Sequence, residues 1–103
     1  MTPTMPVWLS RFLATLPDTE IKPSRVGDSD SLAGFKAGKE FVHLHGEHVL
    51  DIRLPRSLQK DYGTDPRATF RPHRSDWMEY AVPTPAARKT AKELIRRAHA
   101  GTG

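Results

Sequence analysis

The chain has no cysteine among its 103 residues. Disulfides, thiolate catalysis and Cys-ligated zinc are therefore excluded, and packing and hydrogen bonds must hold the fold. Long apolar runs are also missing. No segment approaches the roughly 20 apolar residues that span a bilayer. The N-terminal MTPTMPVWLSRFLATLP has no basic leader and carries Arg11 inside its apolar part, unlike a secretory signal. A cytoplasmic protein with no membrane association is expected. No glycine-rich loop is present to cradle phosphate, and Ser24, Ser31, Ser57 and Ser75 sit in no nucleophile-elbow context. No cofactor is expected, and catalysis is disfavoured without being excluded.

What is present suffices for one modest core. The length allows a single domain over residues 1–103. Two Trp, two Tyr and four Phe can anchor it, and nine prolines imply many loops. The net charge is +4, and the segment from Thr84 onward holds the whole excess: Arg88, Lys89, Lys92, Arg96 and Arg97 against Glu93 alone. A basic helix can attract a polyanion, although a solvated face needs the same residues for solubility.

Hydrophobic periodicity predicts the elements. Leu9, Phe12, Leu13 and Leu16 recur at helical spacing after Pro6, with Thr4 as a possible cap and Leu16-Pro17 as the stop. Residues 20–26 read as a strand that Pro23 confines to an edge or bulge, and 27–31 as a polar turn. Strands follow at 32–37, 40–45 and 49–54, then a short helix at 55–62 that Gly63 stops. Residues 67–73 are extended, interrupted by Pro72, and the last strand covers 77–82. Thr84 and Pro85 open a final helix whose apolar stripe is Ala87, Ala91, Leu94, Ile95 and Ala98, with Glu93 and Arg97 as an i, i+4 pair. The expected fold is α+β: an antiparallel sheet of about six strands with the N- and C-terminal helices packed on one face. Leu13, Leu16, Val42, Leu44, Leu50, Ile52, Leu94 and Ile95 form the expected core.

The stretch EFVHLHGEHVLDIRL, residues 40–54, concentrates the chemistry. Alternation puts Phe41, His43 and His45 on one face and Val42 and Leu44 on the other. A three-residue loop of Gly46, Glu47 and His48 then pairs His43 with Asp51, Phe41 with Arg53 and His45 with Val49. Three readings follow. The first is a cross-strand hydrogen bond from His43 to Asp51 on a half-exposed polar face. In the second, His43 and His45 share a metal, with Asp51 or His73 as third ligand. The third is acid-base chemistry, in which Asp51 orients His43 and leaves its other nitrogen free. With no supporting Cys or HExxH pattern and no evident nucleophile, the first is favoured. The candidate binding face is His43, His45, Asp51, Arg53, His73 and Trp77, serving an unknown ligand or protein partner. Phe70, Trp77 and Tyr80 beside Arg71 and Arg74 also suggest stacking platforms, but Tyr80 shares its strand face with Met78 and Val82 and is expected to be buried.

The residues GFKAGKEFVHLHGEHVLDIRL, then RPHRSDWMEYAV and KELIRRA, resemble the small luciferase-family domain of bacterial and fungal proteins over about residues 21–98. The family name is no evidence for light emission, because the group is largely uncharacterised and this chain has no recognisable flavin or luciferin pocket motif. A looser likeness runs to the double-wing family of the MmcQ/YjbR type, for which DNA binding has been suggested. Carried over, it implies Lys36, Lys39, Arg53 and the helix cations Arg88, Lys92 and Arg96 as phosphate contacts. Nucleic acid is a possible partner but not the favoured one.

Overall fold

A computed structural model describes residues 2–25, 31–72 and 75–102. Helix α1 (Met5–Leu13) leads into strands β1 (Thr19–Pro23), β2 (Leu32–Lys36), β3 (Lys39–His45) and β4 (Val49–Arg53). Helix α2 (Arg56–Gln59) and a 3-10 turn (Lys60–Tyr62) follow, then β5 (Ala68–Phe70), β6 (Trp77–Ala81), a second 3-10 turn (Pro85–Ala87) and α3 (Arg88–Ala100). All pairings are antiparallel, in the order β1-β2-β3-β4-β6-β5. The α+β fold is as expected, and Pro23 lies in an edge strand, where its missing N–H costs no ladder bond. The expected turn at 27–31 lies outside the described residues except for Ser31.

One core forms between the sheet and the helices. Leu9, Phe12 and Leu13 of α1 and Ala91, Leu94, Ile95 and Ala98 of α3 meet Val42, Leu44, Leu50, Ile52, Met78 and Tyr80 on one sheet face. Each fully buried Leu or Ile contributes about 1.5–3 kcal/mol of transfer free energy. Leu16 lies past the end of α1 and is only partly buried. Thr4 and Thr84 precede their helical segments, but neither side chain makes a cap bond; the Thr4 carbonyl accepts from the Trp8 amide instead. The expected Glu93–Arg97 pair is bridged by Tyr62, whose hydroxyl donates to Glu93 and accepts from Arg97, while Arg97 also pairs with Asp61 at 2.8 Å.

Simple alternation fails at one position. Gly34 pairs with Val42, but Phe35 pairs with Glu40, so β3 carries one extra residue, Phe41. Such a bulge turns the residues on its two sides out of phase. Phe41 accordingly joins the core instead of facing Arg53 beside His43, and Glu40 moves to the face of His43. Room for the Phe41 ring comes from Gly34: a Cβ there would meet Phe41 and Leu13 side-chain carbons at 3.1 Å. Gly34→Ala is expected to cost about 1–3 kcal/mol by overpacking, a fall of several degrees in thermal midpoint. An unchanged midpoint would mean that Phe41 is not held against Gly34.

Candidate functional site

Past the bulge, the sheet face opposite the helices gathers a second buried group. Phe35 and Glu40 are cross-strand partners, as are Ala33 and His43, and His43 and Asp51. The β3–β4 register is the expected one, with His43 opposite Asp51 and His45 opposite Val49. The burial is not as expected. His43 is 1% exposed and Asp51 3%, so the pair is enclosed where a half-exposed face was anticipated. Phe35, which is itself buried, and the half-buried Trp77, whose ring centroid lies 5.4 Å from that of His43, help to enclose it.

His43 sits between two carboxylates. Its Nε2 is 2.6 Å from Asp51 Oδ2 and its Nδ1 is 2.8 Å from Glu40 Oε2. These are ion-pair distances, although neither ring nitrogen has the directional alignment of a hydrogen bond. Glu40 is fixed in turn: Oε2 accepts from the Ser24 hydroxyl and Oε1 from the Arg25 amide, both at 2.6 Å. On the other side, Arg71 Nη2 lies 2.9 Å from Asp51 Oδ1, with Glu79 4.0 Å from its Nε. With His43 protonated, the two buried acids, Glu40 and Asp51, are matched by one imidazolium and the Arg71 guanidinium, while the partly exposed Glu79 at the rim adds a further negative charge.

The electrostatics agree. Burial alone would lower the His43 pKa, but Asp51 and Glu40 together outweigh it and hold the ring above its ordinary 6.5. Burial would likewise raise Asp51, but His43 and Arg71 overcome it and keep the carboxyl below 3.8. The acid-base alternative would leave one His43 nitrogen free, but Glu40 faces the nitrogen that Asp51 does not. Metal-ligand atoms are nonetheless close: those of His43, His45 and Asp51 lie within 4.8 Å of one another. To ligate an ion, His43 would have to lose its proton and leave a carboxylate.

The other expected residues divide. His45 lies at the end of β3 with its side chain 61% exposed, 3.9 Å from Asp51. Arg53 is exposed, opposite Trp77, and has no ion-pair partner among the described residues. His73 lies outside the described residues. The cations expected to meet phosphate form two groups: Lys36 and Lys39 are cross-strand partners and Lys39 lines a pocket with Arg53, while Arg88, Lys92 and Arg96 lie along one side of α3. Lys36 donates to the His99 carbonyl at 2.9 Å, and Lys39 is exposed at the start of β3. Arg88 lies over Trp8, and Lys92 and Arg96 over Phe12. Two members of the cluster were missed. Glu40 had a legible signal, a carboxylate on the strand parity of Val42 and Leu44, whereas Arg71 lies in an irregular stretch with no periodicity to place it.

The family model described as the Luciferase domain matches residues 38–98. The chain belongs to the Luciferase domain family. The matched span holds Glu40, His43, His45, Asp51, Arg53, Arg71 and Trp77, whereas Ser24 and Arg25, which anchor Glu40, precede it. No curated protein and no solved structure matches the chain. Among the described residues, no helix of this luciferase domain is long and apolar enough to cross a membrane.

The cluster makes stability depend on pH in two senses. His43, with its raised pKa, contributes stability that is full below about 6.5 and lost as pH rises through the folded value. Asp51, with its lowered pKa, contributes stability that is full above about 3.8 and lost as pH falls through the folded value. The combined contribution should therefore be greatest between those two values. An NMR titration of the His43 ring should give a pKa above 6.5; a value below it would contradict the ion cluster. Asp51→Asn should cost about 3 kcal/mol, the low end for breaking a buried pair because Arg71 reaches solvent, as urea unfolding would measure.

Proposed function

We propose that this luciferase domain is a binding module rather than a catalyst, and that the sheet face opposite the helices receives its ligand or partner segment. The observation that carries this reading is the state of His43: buried, with a carboxylate at each ring nitrogen. A ring held in this way stiffens the centre of the face but offers no lone pair for a proton or a metal. Groups with freedom to engage a ligand surround it. Arg53 is exposed and unpaired among the described residues, His45 is exposed, and Trp77 is half-buried across from Arg53. A guanidinium beside an indole suits an anionic group carried on a planar or apolar body.

Backbone amide shifts during NMR titration with benzoate and inorganic phosphate test this. Residues around His45, Arg53 and Trp77 should move with at least one probe at millimolar concentration, and Arg53→Ala should remove the response. Amides on that face that stay fixed with both probes would count against it.

The spacing of His43, His45 and Asp51 supports metal binding as a second reading. Protein purified without an affinity tag separates the two: the binding-module reading expects no stoichiometric zinc, nickel or iron. Metal that is present in the parent and lost in a His43→Ala, His45→Ala double variant would favour the second. The double-wing likeness is tested by gel shift with duplex DNA, where no retardation is expected at about 50 mM salt.

A further inference from the structure

We propose that a cavity at the N-terminal end of α1, separate from the His43 face and independent of the reading given for it, binds a small monocarboxylate with an apolar body. The cavity measures about 490 Å³, within the roughly 300–1,000 Å³ of small-molecule sites. Pro3, Met5, Leu44 and Pro85 give it apolar walls, and Arg88 supplies the one arginine or lysine in its lining.

Arg88 argues for the carboxylate. Its Nη2 donates to the Pro3 carbonyl at 2.8 Å, and its guanidinium carbon lies 5.3 Å from the Trp8 ring centroid, so the head group is held in position. Its Nε lacks a hydrogen-bond partner but is closed to solvent, so the Nη groups are the ones a ligand could reach. No carboxylate of the described residues forms an ion pair with it. The head group is half-buried and has no counter-ion among the described residues, and a carboxylate offers a guanidinium paired acceptors in matching geometry. Glu47 also lines the cavity, but its side chain is 92% exposed and lies 3.9 Å from His48 rather than against Arg88. A purely apolar occupant would leave the guanidinium as it is. A small anion without an apolar body would leave the walls wet.

Titration of the whole chain with octanoate, 1-octanol and acetate, followed by backbone amide shifts, tests the site. Octanoate should shift the amides of Met5, Leu44, Gly46 and Arg88 saturably, octanol should bind about tenfold more weakly, as expected for loss of a charge-assisted contact, and acetate should have no effect at the same concentrations. Arg88→Gln should weaken octanoate by about tenfold and remove its advantage over octanol. Glu47→Lys, at an exposed position, should tighten octanoate by about threefold while leaving octanol unchanged. Shifts confined to other residues, or equal affinity for octanoate and octanol in the parent chain, would overturn the proposal. Should Arg88→Gln fail to fold, the Glu47→Lys variant decides alone, and an unchanged octanoate affinity there counts against the site. Amides near Arg53 and Trp77 report the other face separately, so the two readings can fail independently.

Discussion

The extra residue in β3 governs what each face of the sheet can hold. Without it, strict alternation would set Glu40 among the core residues Val42 and Leu44 and turn Phe41 away from them. A lone carboxylate in that core would be strongly unfavourable, and an outward Phe41 would lose most of its burial. The bulge exchanges the two. Phe41 fills the space that Gly34 leaves open and meets His99 edge-on, at 5.4 Å between ring centroids. Glu40 reaches the His43 ring from the far side of the imidazole relative to Asp51. One backbone irregularity thus completes both the apolar core and the polar cluster.

That cluster holds together because each buried carboxylate faces a cation. Removing any one ion from water costs several kcal/mol, and mutual attraction repays the cost only when geometry and further hydrogen bonds are good. Here Ser24 and the Arg25 amide bind Glu40, and Arg71 spans Asp51 and Glu79. Replacing the whole set by well-packed apolar residues would be tolerable in energy, whereas deleting one member leaves its partners buried and uncompensated. The arrangement ties together the segment after β1, strands β3 and β4, and the segment after β5.

How far the sequence reveals this follows from which signals are local. The helices and the 43–51 pairing were legible because apolar period and loop length are short-range properties, and both survive folding unchanged. The stripe expected for the final helix is buried residue for residue, from Ala87 in the preceding 3-10 turn to Ala98 in α3. The bulge was not read, because its cause lies across the sheet at Gly34 and behind it at Leu13. Burial of His43 escaped for the same reason: Phe35, Glu40 and Arg71 come from three separate segments and meet only in the fold. Arg71 in particular follows a three-residue strand, too short to show any alternation.

The basic terminal helix shows why a count of charges says little about partners. Arg88, Lys92 and Arg96, four residues apart, lie over the rings of Trp8 and Phe12, and each such contact contributes about 0.5–1 kcal/mol where solvent reaches it. It is the charged heads that lie over the aromatic side of α1, those of the half-buried Arg88 and Lys92 and of the exposed Arg96. Arg97 is committed to Tyr62 and Asp61. The excess charge of the chain is thereby spent largely on joining α3 to α1 and to the turn after α2. Cation–π contact leaves the charge itself in place, so the stripe still attracts anions at long range. It also restrains the side chains that would have to follow a phosphate backbone, which turns the same residues toward packing and away from groove tracking.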